Sequence, residues 1–374
     1  SNETWRFNGR AYAGLDIIDG LHFQTSLAYN FSINATRTYK PKDPARYNAD
    51  GEVRKMAGAN NSQNDYWYRN ATITNENLLT YDKTFGKHSV NALLGHSIII
   101  SNYFNSSATN QGYPTETIFV LSGGTKNPSV SGKNEEYRLQ SFFARLGYSY
   151  ADKYLFEFNI RRDGSSRLPS SHRYDTFPSV SAGWVFSKED FMKNVPILSF
   201  GKLRASWGKL GNQEIGNYAY TATLGAKGNY YFNQSGDKQA GMVQTSIPND
   251  EIMWETTQTL DLGFDLGFFE NKVQATFDWY NKTTNDILMQ LSMPGIFLGS
   301  LWAPYQNAGA VQNRGWELSL NYNDGTGDWK WSAGFNVGHV KNKILEMGGL
   351  TENISGHTIN RVGEPIGSYY GYNA

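Results

Sequence analysis

Thr259-Leu260-Asp261-Leu262-Gly263-Phe264-Asp265-Leu266-Gly267-Phe268 places a large apolar residue at every even position and a polar or small one at every odd position. Successive side chains of a strand point to opposite faces, so this alternation predicts a strand with one apolar and one polar face. The next segment, Val273, Ala275, Phe277 and Trp279, carries its apolar residues at odd positions. If both stripes share one face of a hairpin, even residues sit opposite odd ones. The loop then holds an even number of residues, which Glu270-Asn271 or a four-residue loop satisfies.

The same parity rule works along the chain. Trp5, Phe7, Ala11, Ala13, Leu15 and Ile17 are all odd, and so are Leu21, Phe23, Leu27, Tyr29, Phe31 and Ile33. An odd-length loop, Ile18-Asp19-Gly20, joins them, with Gly20 suited to a left-handed turn position. Phe142, Leu146, Tyr148 and Tyr150 are even, as are Tyr154, Phe156, Phe158 and Ile160, and Ala151-Asp152-Lys153 lies between. Trp316, Leu318, Leu320 and Tyr322 face Trp329, Trp331, Phe335 and Val337 across Asp324-Gly325-Thr326-Gly327. Two further hairpins follow. One runs from Tyr68 to Tyr81, turns near Phe85-Gly86-Lys87 and returns through Val90, Ala92 and Leu94. The other pairs Val180, Ala182, Trp184 and Phe186 with Leu203, Ala205 and Trp207. Together these make roughly a dozen strands, most near the length that crosses a bilayer at a tilt.

Composition agrees. The 374 residues are 15% aromatic and only 18% charged, with 38 glycines. Mean hydropathy is −0.55, and no run of apolar residues is long enough for a helical membrane span. Strands that alternate apolar-out and polar-in average to polar, as in an outer-membrane β-barrel. Lys+Arg and Asp+Glu balance at 34 each, which gives no electrostatic case for nucleic acid. Cysteine is absent, which excludes disulfides and thiolate metal sites. The chain opens Ser1-Asn2-Glu3-Thr4, without Met or a signal peptide, and reads as a processed or internal piece.

Loop lengths separate a barrel from a soluble sandwich. Connections near residues 19, 86, 152, 270 and 325 are short, and the one at 188–200 is medium, with a helical turn at Lys188-Glu189-Asp190-Phe191. Between them lie long connections at 34–65, 97–136, 161–177, 208–254, 280–315 and 338 onward. Such alternation is expected of a barrel with short periplasmic turns and long outer loops. Both termini then fall on the outer side. Aromatics close several apolar stripes, among them Trp5, Tyr150 with Tyr154, Phe268, Trp279, Trp316 and Tyr322 with Trp329. Interfacial girdles place amphipathic rings at such positions.

Several segments resemble the SusC/RagA-type TonB-linked outer-membrane transporters of Bacteroidota. They are Arg161-Arg162-Asp163-Gly164-Ser165-Ser166-Arg167, Phe177-Pro178-Ser179-Val180-Ser181-Ala182-Gly183-Trp184 and Leu203-Arg204-Ala205-Ser206-Trp207-Gly208-Lys209-Leu210-Gly211-Asn212-Gln213. Trp254-Glu255-Thr256-Thr257, Asn307-Ala308-Gly309 with Asn313-Arg314-Gly315-Trp316-Glu317-Leu318, and Val362-Gly363-Glu364-Pro365-Ile366-Gly367 follow in order. The resemblance covers 66–374 by motif and 1–65 by pattern. It implies an all-β, antiparallel transmembrane barrel of about 22 strands closed by a plug. Residues 1–374 are expected to form part of that single barrel domain, with the plug, the TonB box and the C-terminal strands outside this chain. The implied function is TonB-dependent import of an oligosaccharide or peptide beneath a SusD-like surface lipoprotein, in the outer membrane of a Gram-negative bacterium. A passive porin is the alternative.

No catalytic motif, cofactor or metal site is expected. The histidines His22, His88, His96, His172, His339 and His357 are scattered without metal-ligand spacing. His96 shares a stripe with Leu94 and Ile98, with no serine two positions away to make a lipase pair. Asp261, Asp265 and Asp278 share the polar face of one hairpin. In the four-residue-loop register Asp278 lies opposite Gly263, diagonal to both other acids at roughly 7–8 Å. That spacing suits an inverting glycosidase, so a β-rich glycan-acting enzyme is the third alternative. A wet lumen requires polar residues there in any case. Arg161, Arg162, Asp163 and Arg167 form the densest charge cluster, suited to an anionic ligand, to a plug or neighbouring loop, or to local ion pairs. The loop aromatics Tyr218, Tyr220, Tyr230, Tyr231, Trp302 and Tyr305 are candidates for stacking on sugar rings or on partner loops.

Overall fold

The computed structural model describes residues 1–42, 46–47, 53–54, 60–226, 230–231, 236, 238–239, 241–291, 295–299, 301–325 and 329–371. Twelve strands form one sheet in which chain order and spatial order coincide. They are β1 (Asn2–Ile18), β2 (Leu21–Lys40), β3 (Ser62–Phe85), β4 (His88–Gln111), β5 (Lys126–Tyr150) and β6 (Tyr154–Ser165). β7 (Tyr174–Trp184), β8 (Leu198–Asn212), β9 (Glu255–Phe268), β10 (Val273–Asn285), β11 (Gly309–Asp324) and β12 (Trp331–Met347) complete it. This is the up-and-down meander of a barrel wall. It is an open one here, because the order runs from β1 to β12 without returning to β1 among the described residues.

The chain divides into two compact units. One comprises Ser1–Ala13, Gln24–Asn77 and Ser97–Leu139, and the other Gly14–Phe23, Leu78–His96 and Gln140–Ala374.

In the second unit the parity of the sequence becomes register. Phe268 pairs with Val273 across the four residues 269–272, and Gly263 lies opposite Asp278. Phe156, Ala182, Ala205, Leu262, Trp279, Trp316 and His339 are successive register partners across seven strands. That row is apolar except at its last member, and it is open to the surroundings: Phe156 is 44% and Leu262 45% exposed. A soluble sheet would bury such a row, whereas lipid is its proper solvent. The buried apolar residues, such as Leu168, Phe177, Ile215, Ile252 and Trp254, lie at strand tips and in loops instead.

The turns follow the same logic. Gly20 has φ +83°, and a Cβ there would stand 2.5 Å from the Asp82 carbonyl, so only glycine fits. Ala151 and Asp152 take the left-handed conformation with φ 52° each, which closes the three-residue turn 151–153. Phe186 is not part of β7: it opens a 3₁₀ turn at Phe186–Lys188, followed by another at Asp190–Met192. At the last hairpin Asp324 pairs with Trp331, so six residues close it rather than four, and the strand starts after Trp329. The loop length stays even, which keeps Leu320 opposite Phe335 as parity demands. Thr326 and Gly327 lie outside the described residues.

Glu189, between the two 3₁₀ turns, ties the base of the β5–β6 and β7–β8 connections. Its carboxylate accepts hydrogen bonds from the Tyr154 hydroxyl (2.8 Å), Trp184 Nε1 (3.2 Å) and Lys153 Nζ (3.1 Å). These donors, Tyr154 foremost, hold its pKa below the ordinary glutamate range. A depressed carboxylate stabilises the fold above its unfolded value of about 4.3, and that contribution disappears as pH falls through the lower folded value. The protection of 185–193 against hydrogen exchange, taken relative to the intrinsic rate at each pH, should therefore fall on acidification through that window. Glu189→Gln should exchange faster at neutral pH and lose the acid-dependent step.

In the first unit Ser1 and Arg37 exchange both backbone hydrogen bonds at 2.9 Å, pairing odd with odd. The strand portions 62–77 and 97–111 are bonded side chain to side chain: Tyr66 to Tyr103 (2.9 Å), Thr72 to Ser101 (3.0 Å) and Asn64 to Thr109 (3.0 Å). Much of what the sequence suggests as loop at 34–65 and 97–136 is therefore strand, and the connections shrink to 41–61 and 112–125. β3 and β4 are 24 residues each, about 80 Å at 3.3 Å per residue, against about 9–11 residues for a bilayer crossing. Here Asn61 clasps the 112–125 connection, with its amide on the Tyr113 carbonyl (3.0 Å) and its oxygen on the Tyr113 N–H (2.7 Å). Tyr39 packs edge-on against Tyr113 and Phe119 and donates to Glu116 at 2.5 Å.

Candidate functional site

The polar face of β8–β11 carries a charged row. Arg204, Gly263, Asp278 and Glu317 are successive register partners. Arg204 donates to both carboxylate oxygens of Asp265 (2.8 and 3.1 Å), and its Nη2 lies 2.8 Å from Asp278 Oδ1. A Cβ on Gly263 would collide with Asp278 Oδ1 and lie 2.9 Å from Arg204 Nη2. Glycine is therefore what lets the guanidinium lie flat between two acids on adjoining strands. Asp261 stands one step up β9, opposite Ser206 and Tyr280. The three acids do share a face, as parity requires, but one cation holds two of them in ion pairs. The arrangement suits a hydrated, charge-compensated wall better than an acid–base pair, which needs one carboxyl protonated and one free.

Arg161, Arg162, Asp163 and Arg167 do not converge. Arg161 Nε grips Asp163 (2.7 and 2.8 Å), and its Nη2 reaches the Ser141 hydroxyl at 2.8 Å. Arg162 turns away from that pair and lies over the Tyr174 ring at 5.7 Å. Arg167 binds Glu214 at 2.9 Å and the Asn217 side-chain oxygen at 3.2 Å. The cluster is thus three separate attachments, mostly ion pairs and hydrogen bonds at the base of an outer loop.

Around that base, residues far apart in sequence meet. Ser165 is fully buried and donates to Gln213, and its Oγ accepts from the Arg167 N–H at 3.1 Å. Trp254 is 4% exposed, packs edge-on against Phe177 at 5.3 Å and donates its indole N–H to the Arg173 carbonyl at 3.0 Å. Gly211 lies against the Phe177 ring, where a side chain would collide. Asn307 locks the next loop: it donates to the carbonyls of Met253 (2.9 Å) and Asp286 (2.8 Å) and accepts from the Met253 N–H (2.9 Å). The segments singled out in the sequence are therefore the seat on which the outer loops rest. In the sequence Trp254 and Asn307 stand out only as parts of motifs. A lone Trp and an Asn-Ala-Gly outside any strand pattern were the available signals.

The loop aromatics occupy different places. Tyr218 is exposed, in the left-handed conformation at φ 62°, and Tyr220 is half-buried. Trp302 is 68% exposed, and its backbone bridges to Ser246. Tyr305 opens the short strand Tyr305–Asn307, which pairs with Leu288–Gln290, and its carbonyl accepts from Asn249 at 2.7 Å. Tyr230 and Tyr231 pair through their backbone with Lys238–Gln239, and their side chains lie outside the described residues. Among the described residues no group of three His, Asp or Glu is placed to hold a metal ion.

Comparison with known proteins agrees with this architecture. The family described as TonB dependent receptor-like, beta-barrel matches residues 1–372. TonB-dependent receptor P3 of Formosa agariphila is 34% identical over 99% of this chain and 37% of its own length. TonB-dependent receptor SusC of Bacteroides thetaiotaomicron is 29% identical over 80% of this chain and 30% of its own. Among solved structures, the RagAB peptide transporter aligns with a TM-score of 0.85 and 26% identity, covering 97% of this chain and 39% of that one. The chain thus spans less than two-fifths of the length of these proteins. By its sheet, by its outward apolar row and by these matches, the chain belongs to the TonB-dependent receptor-like β-barrel family of the outer membrane.

Proposed function

We propose that this chain is part of the barrel wall of a TonB-driven importer that takes up a nutrient oligomer, a glycan or a peptide, beneath a SusD-like surface lipoprotein. In this reading 1–374 belongs to a single barrel domain, and the remaining strands and the plug come from the rest of the protein. The alignment with the RagAB peptide transporter over 97% of the chain carries the proposal, and the similarity to SusC supports it. A large barrel has a lumen too wide for its own side chains to fill, so it needs either a plug or an open channel. The charge-compensated face at Arg204 suits a wetted lumen. The loop seat at Trp254 and Asn307 suits outer loops that must hold a shape against a partner and a substrate. Tyr218, Tyr220, Trp302 and Tyr305, with Tyr230 and Tyr231, remain the proposed contacts for substrate.

The test is uptake of a labelled oligomer by cells carrying the full-length gene, with and without TonB and with the lipoprotein deleted. Uptake that requires both supports the importer; uptake indifferent to TonB means a porin. Sidedness is checked separately, since the chain has no cysteine of its own. On intact cells an impermeant thiol reagent should label Trp302→Cys and leave Gly325→Cys untouched. The opposite pattern would reverse the orientation.

A further inference from the structure

The lipid-facing stripe of β6 ends in a charge. Its outward residues are Tyr154, Phe156, Phe158 and Ile160, and the next in the series is Arg162. Eight residues at 3.3 Å, tilted by roughly 40°, lift Arg162 about 20 Å above Tyr154, near the far edge of an apolar band about 25 Å tall. Beneath it lies an open concavity of about 470 Å³, lined on the outward side by Leu94, Phe142, Ala144, Ile160 and Thr176, with Arg162 at its rim. Leu94 and Phe142 are 59% and 48% exposed, so this groove belongs to the lipid-facing surface.

The rim is built. Arg162 lies over the Tyr174 ring, whose hydroxyl donates to Gln140 Oε1 at 2.7 Å. Gln140 Nε2 in turn meets His96 Nε2 at 3.2 Å, and the His96 ring packs on Phe142 at 4.8 Å. Glycine at 164 leaves room for the Tyr174 ring. Arg161, Arg167 and Arg204 each have a carboxylate partner, whereas among the described residues none is ion-paired with Arg162. A cation without a counter-ion at the edge of the hydrocarbon is unfavourable unless a headgroup supplies the charge.

We propose that this patch seats a phosphorylated lipid of the outer leaflet, with an acyl chain in the groove and the phosphate on the Arg162 fork. Two features select this occupant. The charge is positive and planar, which matches a phosphate in bidentate contact, and the apolar groove runs down from it into the band the membrane covers. The proposal does not depend on what the barrel transports.

The test uses the full-length protein, purified in mild detergent and placed in neutral phosphatidylcholine nanodiscs. Binding of a monophosphorylated acyl glycolipid, of its dephosphorylated form and of inorganic phosphate is read by native mass spectrometry and titration. Arg162→Gln should weaken the phosphorylated lipid about tenfold, the scale of losing a charge-assisted contact, and leave the dephosphorylated form unchanged. Arg162→Lys, which keeps the charge but not the planar fork, should fall between the wild type and Arg162→Gln, and Ala144→Trp, which fills the groove, should weaken both lipids. Heat-modifiable migration shows that each variant is folded. Equal binding of both lipids by the wild type, full retention in Arg162→Gln, full retention in Ala144→Trp, or displacement of the lipid by inorganic phosphate alone would each overturn the seat.

Discussion

Trp254→Ala should loosen the seat of the outer loops by about 3–5 kcal/mol, the usual cost of deleting a buried large aromatic. Three losses combine. The indole is 4% exposed, so its removal leaves a cavity that the strand ends on either side cannot close. Its edge-on contact with Phe177 disappears. The Arg173 carbonyl loses the indole N–H and keeps only the Ser165 N–H at 3.2 Å, which gives up one hydrogen bond. The damage should stay local, because the strands below are held by their own ladder, Asn212 to Glu255 and onward. The expected readout is rapid proteolysis of 166–173 and 213–254 on intact cells, with the heat-modifiable barrel band unchanged. Trp254→Phe should recover the packing but not the hydrogen bond, and so fall between. Loss of the barrel band itself would mean that this residue holds the wall rather than the loops.

The second large effect is on the opposite surface. Leu262→Arg should destabilise the barrel by about 2–4 kcal/mol, as a charge placed on the lipid face near the bilayer midplane does. Leu262 sits in the outward row between Ala205 and Trp279, and at 45% exposed its side chain is open to the lipid. Phe264→Arg, one step along the same stripe beside Leu203 and Phe277, should behave alike. Thr259→Arg, on the polar face opposite Gly208 and Lys282, should cost much less, because water reaches it. Refolding equilibria into bilayers measure all three. Equal losses on the two faces would contradict the assignment of lipid and lumen.

Strand pairing was legible wherever one face is apolar and the other polar. The even stripe of Leu260–Phe268 against the odd stripe from Val273 left few registers open, and Phe268 opposite Val273 is one of them. A slip by one residue would turn every apolar side chain of a strand into the lumen, so patterning and register are one constraint. The last hairpin marks the limit of that argument. Parity is kept with Asp324 opposite Trp331, yet the loop is two residues longer than the turn-like Asp-Gly-Thr-Gly suggested, because parity excludes only odd shifts.

The sequence alone was thus sufficient for the barrel wall, its two faces and the order of its strands, because lipid on one side and water on the other write a period of two into the residues. It was silent where both sides are wet. The portions 62–65 and 97–111 read as loop, yet they are strand, held by Asn, Thr, Ser and Tyr pairs that leave no hydrophobic period. Only the tertiary structure decided how far the strands rise, that Arg204 joins Asp265 to Asp278, and that Arg161, Arg162 and Arg167 part company. It alone brought Ser165, Phe177, Gln213 and Trp254 to one loop base. Those outcomes rest on contacts between residues tens of positions apart, where the folded chain, and not the local pattern, sets which side chains can reach each other.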